Sequence, residues 1–335
     1  MQPGLVLVVG PNGAGKTNLL ESLHVGTQGF SPRTRNDASL IRFGREGARI
    51  ALTGERAGSP LELNVVLHAG AAKRASLNGA RLRTAEQLRG EVATIVFTPD
   101  RLVVVKGGPA ARRAYFDRAL GRGAPSQAAL PAEYGAALAQ RNASLRGVAG
   151  GYSSPDALRP WSERVAELGG RLVTARREVI AALQPAFAAR AAELGLDAAA
   201  LSYDAELPTL DALDARLDRD LDRGATGIGP HLDDVDVRAG ERDLRSFGSQ
   251  GEQRLAVLAL LLAEAELVTQ RRGFAPLLLL DDVLSELDPE RRLILAGQLR
   301  SFGQTLITAT TESALPDDAQ QVIQVEPSDA GTVAA

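Results

Sequence analysis

The chain has 335 residues, 44% of them hydrophobic and 24% charged, with a formal net charge of -3. This composition suits a folded protein with a sizeable core and excludes a globally basic nucleic-acid binder, so any DNA surface must be a local patch. The absence of cysteine excludes disulfides, thiolate metal sites and cysteine nucleophiles, and the three histidines, His24, His68 and His231, are too dispersed to suggest a metal cluster.

The first residues lack a basic stretch of the secretory type, and the longest apolar tract, around Leu255–Leu262, stops before Glu264 and Glu266, too short for a bilayer. A cytoplasmic location is expected. Leu5–Val9 reads as an apolar strand leading into a glycine loop, and Asn18–Val25 as the helix that the loop feeds. The loop residues Gly10, Pro11, Asn12, Gly13, Ala14, Gly15, Lys16 and Thr17 fit G-x-x-x-x-G-K-[ST] at every fixed position. Glycines let backbone N–H groups turn toward phosphates at the positive end of the helix. Lys16 would reach the β and γ oxygens of ATP, and the Thr17 hydroxyl would bind Mg²⁺. Lysine occurs only at Lys16, Lys73 and Lys106 in a chain otherwise rich in arginine, which marks Lys16 as needed for its compact ammonium.

Short strands are expected at Ala48–Thr53, Leu61–Leu67 and Val92–Phe97. From about Ala110 to Arg223 the pattern turns helical. Ser154 and Pro155 open one helix as N-cap and first residue. Leu158, Trp161, Val165, Leu168 and Leu172 then recur as one apolar face, with Trp161 expected as a core anchor. Pro185 should kink or end a later helix. Strands and helices alternate again after the Gly224–Asp234 loop: Gln253–Val268 as a long helix, Pro276–Leu280 as a buried parallel strand, Arg291–Leu299 as a helix and Gln304–Thr308 as a strand. The acidic, alanine-ending tail, 326–335, is expected to be flexible.

A P-loop needs a second carboxylate for its metal, and Asp281 follows four leucines, at the carboxyl end of a strand where ligands of α/β sheets bind. Asp281 is the Mg²⁺ candidate beside Thr17, and Asp282 is placed to orient or deprotonate the attacking water. Paired carboxylates also suit a helix N-terminus, and both readings can hold at once. Thr17 and Asp281 lie 264 residues apart yet must meet at one ion, so the nucleotide domain is discontinuous. The expected organisation is a head formed by 1–110 and 224–325, with 111–223 inserted as an α-helical lobe. Ser249, Gly251 and Glu252 open the long helix and present a hydroxyl, backbone N–H groups and a helix N-terminus as an anion site; taken alone, they read equally well as an N-cap with a glutamate at the capping position.

A Walker-A loop, an S-x-G-[QE] signature, an acidic strand and a following Ser285–Asp288 segment, S-E-L-D, resemble in this order the ABC-type ATPases of the chromosome-maintenance branch. Thr98–Asp117, Gln140–Asn142, Gly227–Asp234, Ser249–Arg254 and Leu278–Arg292 further resemble the landmark segments of the RecF family of bacterial recombination-repair ATPases, over nearly the whole chain. The resemblance implies an α/β fold, an ABC-type ATPase head with an inserted helical lobe. It implies an ATP- and Mg²⁺-dependent homodimer, in which Ser249 of one copy caps the γ-phosphate held by the other. It further implies binding to double-stranded DNA or single/double-strand junctions, slow ATP hydrolysis coupled to release, and work with RecR and RecO to place RecA on gapped DNA. Lys106, Arg112 and Arg113 form a cationic loop suited to nucleotide or DNA phosphate, the plainer alternative being a solvated helix start.

The chain departs from the family in two places. Members carry a strand and an F-R-N segment before the Walker-A strand, whereas nine residues precede Gly10 here, so part of the adenine- and DNA-facing surface is expected to be missing and the chain to start late. Thr308-Ala-Thr310 takes the place of a transporter's switch histidine, and Thr310 is expected near the γ-phosphate or its water. His231 matches a family landmark and reads as structural. An ABC transporter subunit and a non-catalytic SMC-like clamp are the alternative functions.

Overall fold

A computed structural model describes the whole chain except residues 57, 316–318, 327–332 and 335, with only the backbone at 86, 286, 333 and 334. The chain divides into two compact units, one of Met1–Arg101 with Leu258–Ala335 and the other of Leu102–Val257.

The first unit is built on a six-stranded sheet whose order is Val333–Ala334, Gln321–Glu326, Leu5–Val9, Thr305–Ala309, Leu277–Leu280 and Thr94–Phe97. All pairings are parallel except that of the outermost Val333–Ala334 strand. Every residue of Leu5–Val9 is buried, as a continuous apolar run between two parallel neighbours requires. Val6, Val8, Leu279, Leu306 and Ile323 from the central strands join Ala14 and Leu20 in one core cluster. A second, antiparallel sheet pairs Gly47–Arg56, Ser59–His68, Arg74–Leu77 and Ala80–Arg81 in sequence order.

The parallel register gathers distant residues at one edge. Val9 lies opposite Ala309 and Leu280 opposite Ile307, so the chain segments leaving these strands emerge side by side at their carboxyl ends. The glycine loop, Asp281 and Thr308 meet there although the sequence scatters them.

The second unit contains helices Pro109–Gly123, Leu130–Ala149 and Arg159–Glu193, together with a three-stranded sheet of Ala199–Ser202, Asp236–Ala239 and Arg242–Asp243. Its limits differ from the expected lobe, 111–223. The strand Asp236–Ala239 pairs antiparallel with Ala199–Ser202, which ties the 224–257 segment to the helices that precede it. Pro185 lies inside the 35-residue helix Arg159–Glu193 and does not end it. Trp161 is 37% exposed and is no core anchor, whereas Val165, Leu168 and Leu172 are buried. The expected flexible tail, 326–335, falls mostly outside the described residues, and its described part includes the Val333–Ala334 strand. No helix among the described residues is long and apolar enough to cross a membrane.

Candidate functional site

The glycine loop closes the strand Leu5–Val9 and opens the helix Lys16–Gln28. A Cβ at Gly10 would stand 2.2 Å from the Val325 carbonyl oxygen, so only glycine lets the loop leave the sheet here. Gly13 and Gly15 take φ of 83° and 99°, which bends the loop back over the helix N-terminus. The Lys16 ammonium donates to the carbonyls of Gly10 at 2.8 Å and Pro11 at 3.0 Å. It has three N–H donors, so these two bonds anchor it across the loop and leave a donor for a ligand.

Thr17 Oγ1 lies 2.9 Å from Asp281 Oδ2 and 3.1 Å from Oδ1. Asp281 is 8% exposed, and its Oδ1 also accepts a 2.7 Å bond from the Thr308 hydroxyl. Thr308 Oγ1 in turn accepts the backbone N–H of Asp282 at 2.8 Å. A hydroxyl and a carboxylate in contact beside a glycine loop are the usual protein share of a Mg²⁺ site, with phosphate and water completing the shell. The donor set therefore fits Mg²⁺ with a nucleotide. Among the described residues no group of three or more His, Asp or Glu side chains could hold a metal alone, so any ion needs oxygen ligands from elsewhere.

Asp282 is exposed and takes φ 52°, a left-handed backbone that carries strain for a non-glycine residue. The turn is held by the Thr308 bond and by Ser285 Oγ, which donates to the Asp282 carbonyl at 3.0 Å. Asp282 and Thr310 line one cavity of about 180 Å³ together with Ser285, Arg292 and Thr311. Thr308 is the site residue that sequence reasoning does not single out: it lies near the end of a strand and precedes Thr310, and neither relation places it against Asp281.

In the second unit, Ser249 and Glu252 form a reciprocal capping box. The Ser249 N–H donates to Glu252 Oε2 at 2.8 Å, and the Glu252 N–H donates to Ser249 Oγ at 3.2 Å. The Arg242 guanidinium, 2.8 Å from Oε1, and then the Ser249 bonds hold the Glu252 carboxyl down to about 2. Gln253, which is buried, donates to the carbonyls of Leu244 and Gly248 and fixes the loop before the helix Gln250–Arg272. Ser249 and Gly251 remain exposed, and the Ser249 hydroxyl, already an acceptor, has a proton to donate. The N-cap is formed, and the same hydroxyl keeps a proton turned to solvent that an anion could accept.

A family profile described as the RecF/RecN/SMC N-terminal domain matches residues 1–334. The DNA replication and repair protein RecF of Myxococcus xanthus (strain DK1622) is 38% identical over 92% of this chain and 85% of its own length. The chain belongs to the RecF family. The RecF of Heliobacterium modesticaldum is 36% identical over 92% of this chain and 87% of its own. A solved structure of the recombination mediator protein RecF-ATP in the RecFOR pathway has a TM-score of 0.89 at 26% identity, covering 100% of this chain and 92% of that one. An SmcHead bound to the C-winged helix domain of ScpA, 16% identical with a TM-score of 0.59, shares the fold.

The RecF landmark segments of the second unit meet in a buried polar network. Arg112 is 4% exposed and pairs bidentately with Asp234 at 2.7 and 2.6 Å, while its Nη1 donates to the Gly107 carbonyl. The bidentate guanidinium holds the Asp234 carboxyl below its ordinary range against the opposing effect of burial. Arg113 donates to the Asp233 carbonyl at 2.6 Å. These contacts differ from the sequence expectation for Arg112, which is committed to Asp234 and Gly107; Arg113 is half-buried with a bond to the Asp233 carbonyl, and Lys106 is exposed. Arg141, fully buried, binds Asp220 at 2.9 Å, Thr226 at 2.7 Å and Ser162 at 3.1 Å. Asn142 Oδ1 accepts from the Thr226 N–H and hydroxyl. Arg176 pairs with Asp117 and donates to the Pro230 carbonyl.

His231 is held on both ring nitrogens, as expected of a loop histidine satisfied by its surroundings. Its Nε2 lies 3.1 Å from the Thr226 carbonyl, which needs a donor, so Nδ1 accepts from the Tyr134 hydroxyl at 2.8 Å. Burial lowers the His231 pKa and keeps the ring neutral.

Proposed function

We propose that the chain is an ATP-dependent DNA-binding protein of recombinational gap repair and replication-fork maintenance, acting in the cytoplasm. The observation that carries its ATP-dependence is the Thr17–Asp281–Thr308 chain of contacts at the foot of the glycine loop. The loop N–H groups and Lys16 would bind the β and γ phosphates of ATP. Mg²⁺, when bound at Thr17 and Asp281, supplies charge neutralisation of those phosphates. Asp282, exposed at the edge of the site, would hold or take the proton of the attacking water. The relatives named for RecF at 36% and 38% identity support this reading over a transporter subunit or a non-catalytic clamp.

The functional head in this reading is 1–110 with 224–325, since it must include the Ser249 signature, and 111–223 is the inserted helical lobe. ATP sits on the head of one copy, and Ser249, Gly251 and Glu252 of a second copy cap its γ-phosphate. Closure traps double-stranded DNA or a single/double-strand junction, and slow hydrolysis releases it. RecO and RecR are the partners by which RecA reaches the gapped DNA.

Mixing two inactive variants tests the composite site. Lys16→Ala and Ser249→Arg should each abolish hydrolysis, and their mixture should recover activity, because one mixed site combines an intact Lys16 with an intact Ser249. No recovery on mixing, with both proteins folded, would reject a site shared between copies.

A further inference from the structure

Phe43 is 102% exposed, the most exposed large apolar side chain among the described residues. It sits on a built turn. The Arg45 N–H donates to the Arg42 carbonyl at 3.0 Å, and Gly44, at φ 79°, takes the positive dihedral that a type II turn needs at its third position. Phe43 holds the second position, at the tip. The approach to the turn is fixed: Ser31 Oγ accepts the N–H groups of Arg33 and Thr34, and the Asn36 side chain accepts that of Ala38. Leu40 and Ile41 pack against the apolar cluster of Val25, Leu63 and Val65. The exit is fixed as well, by the bond from the Ala69 N–H to the Glu46 carbonyl. One short segment therefore half-buries two apolar side chains and holds a third in water. Burying an aromatic ring is strongly favourable, so a fixed, fully exposed one is available to a ligand.

The charges around it specify which. Arg33, Arg35, Arg42 and Arg45 stand in the same segment, and Arg74 is exposed beside Lys73. Against them stand Asp37, which Lys73 pairs at 3.0 Å, Glu21, which Arg33 pairs at 3.4 Å, and the exposed Glu46. In a chain of net charge -3, the 33–46 segment carries four arginines against Asp37 and Glu46, a local excess of positive charge of the kind that a DNA binder of this composition requires.

We propose that the Arg42–Arg45 turn is a nucleic-acid contact, in which Phe43 stacks on an exposed base while the arginines hold the adjoining phosphates. An aromatic face flanked by guanidinium groups matches a strand that alternates π-faces and phosphates. A protein partner would favour an apolar centre depleted of charge. A single strand, alone or at a junction, can offer every base face, whereas a blunt duplex offers only those of its terminal pairs, so the turn favours single strands and junctions over duplex. This inference rests on the DNA-binding reading above.

Anisotropy of a labelled single/double-strand junction and of a blunt duplex, titrated with protein and Mg-ATP across salt, tests it. Phe43→Ala should weaken junction binding about ten-fold or more and blunt-duplex binding far less. Arg45→Ala should reduce the slope of log K against log salt by about 0.7–0.9. Phe43→Trp should keep affinity and show fluorescence quenching on adding the junction, above the background of Trp161. ATP binding should be unchanged in all three variants. Wild-type binding to the junction with Phe43→Ala and Arg45→Ala unaltered would overturn the role of the turn and leave the DNA reading standing. Failure of the wild-type protein to bind either DNA would overturn both. Loss of self-association in Phe43→Ala, with DNA binding intact, would make the turn a contact between protein copies and overturn the assignment.

Discussion

The Thr308 hydroxyl donates to Asp281 Oδ1 at 2.7 Å while accepting the backbone N–H of Asp282 at 2.8 Å. One strand-end side chain thus sets the orientation of the Asp281 carboxylate and the left-handed turn of the residue beside it. Thr308 is 1% exposed, so no water competes for either bond.

Replacing Thr308 by valine keeps the shape and removes both bonds. The Mg²⁺ concentration giving half-maximal nucleotide binding should rise about 10- to 100-fold, the usual effect of losing a partner behind a metal ligand. Thr308→Ser should restore it. A titration with fluorescent ATP analogue and Mg²⁺ reads this without relying on turnover, and a wild-type Mg²⁺ requirement in Thr308→Val would show that the hydroxyl does not position Asp281.

Asp282→Asn should leave ATP affinity within a few-fold of wild type and reduce single-turnover hydrolysis by about 10²–10⁴-fold, as loss of a general base does. The left-handed backbone accommodates asparagine as readily as aspartate, so the variant isolates the carboxylate from the turn. Wild-type hydrolysis by the variant would remove Asp282 from the chemistry.

Arg141 and Asp220 are 0% and 1% exposed, and breaking their pair leaves a buried charge without compensation. Arg141→Met should destabilise the second unit by about 3–5 kcal/mol, and Arg141→Met with Asp220→Leu by distinctly less. Trp161, the chain's single tryptophan, lies in this unit and reports its urea unfolding. Arg112→Ala should likewise lower the unfolding midpoint. If instead it reduced DNA binding with stability unchanged, the phosphate role first expected for Arg112 would be restored.

His231 is neutral in the folded protein because burial lowers its pKa. Its contribution is therefore fully present above the ordinary histidine value of about 6.5 and declines as pH falls below it, when protonation also removes the acceptor used by Tyr134. Unfolding midpoints measured from pH 8 down to about 5 should fall in wild type, and His231→Asn should flatten the part of that fall due to this group.

The nucleotide half of this molecule was legible because its chemistry is local. A fully apolar strand, a glycine loop and a lysine at fixed spacing announce a phosphate cradle, and the run Leu277–Leu280 before Asp281 announces a buried strand end. What the sequence could not convey was register. Thr308 acts only because its strand runs parallel beside Leu277–Leu280, a relation set by the whole sheet. Arg112 and Arg113 look like a phosphate loop locally because their partners, Asp234 and Asp233, lie 122 and 120 residues away in the chain. Trp161 was assigned to the core by helical spacing, yet that face rotates it to the margin of the apolar stripe, where it remains 37% exposed.

In the proposed function the glycine loop is half of a site completed by a second copy. Light scattering on Asp282→Asn, which should hold ATP without splitting it, tests this most directly. With Mg-ATP the variant should run at twice the mass of the chain, and Ser249→Arg added to it should return it to one chain while ATP stays bound. A single-chain mass in saturating Mg-ATP, at protein concentrations well above those used for binding, would contradict the account.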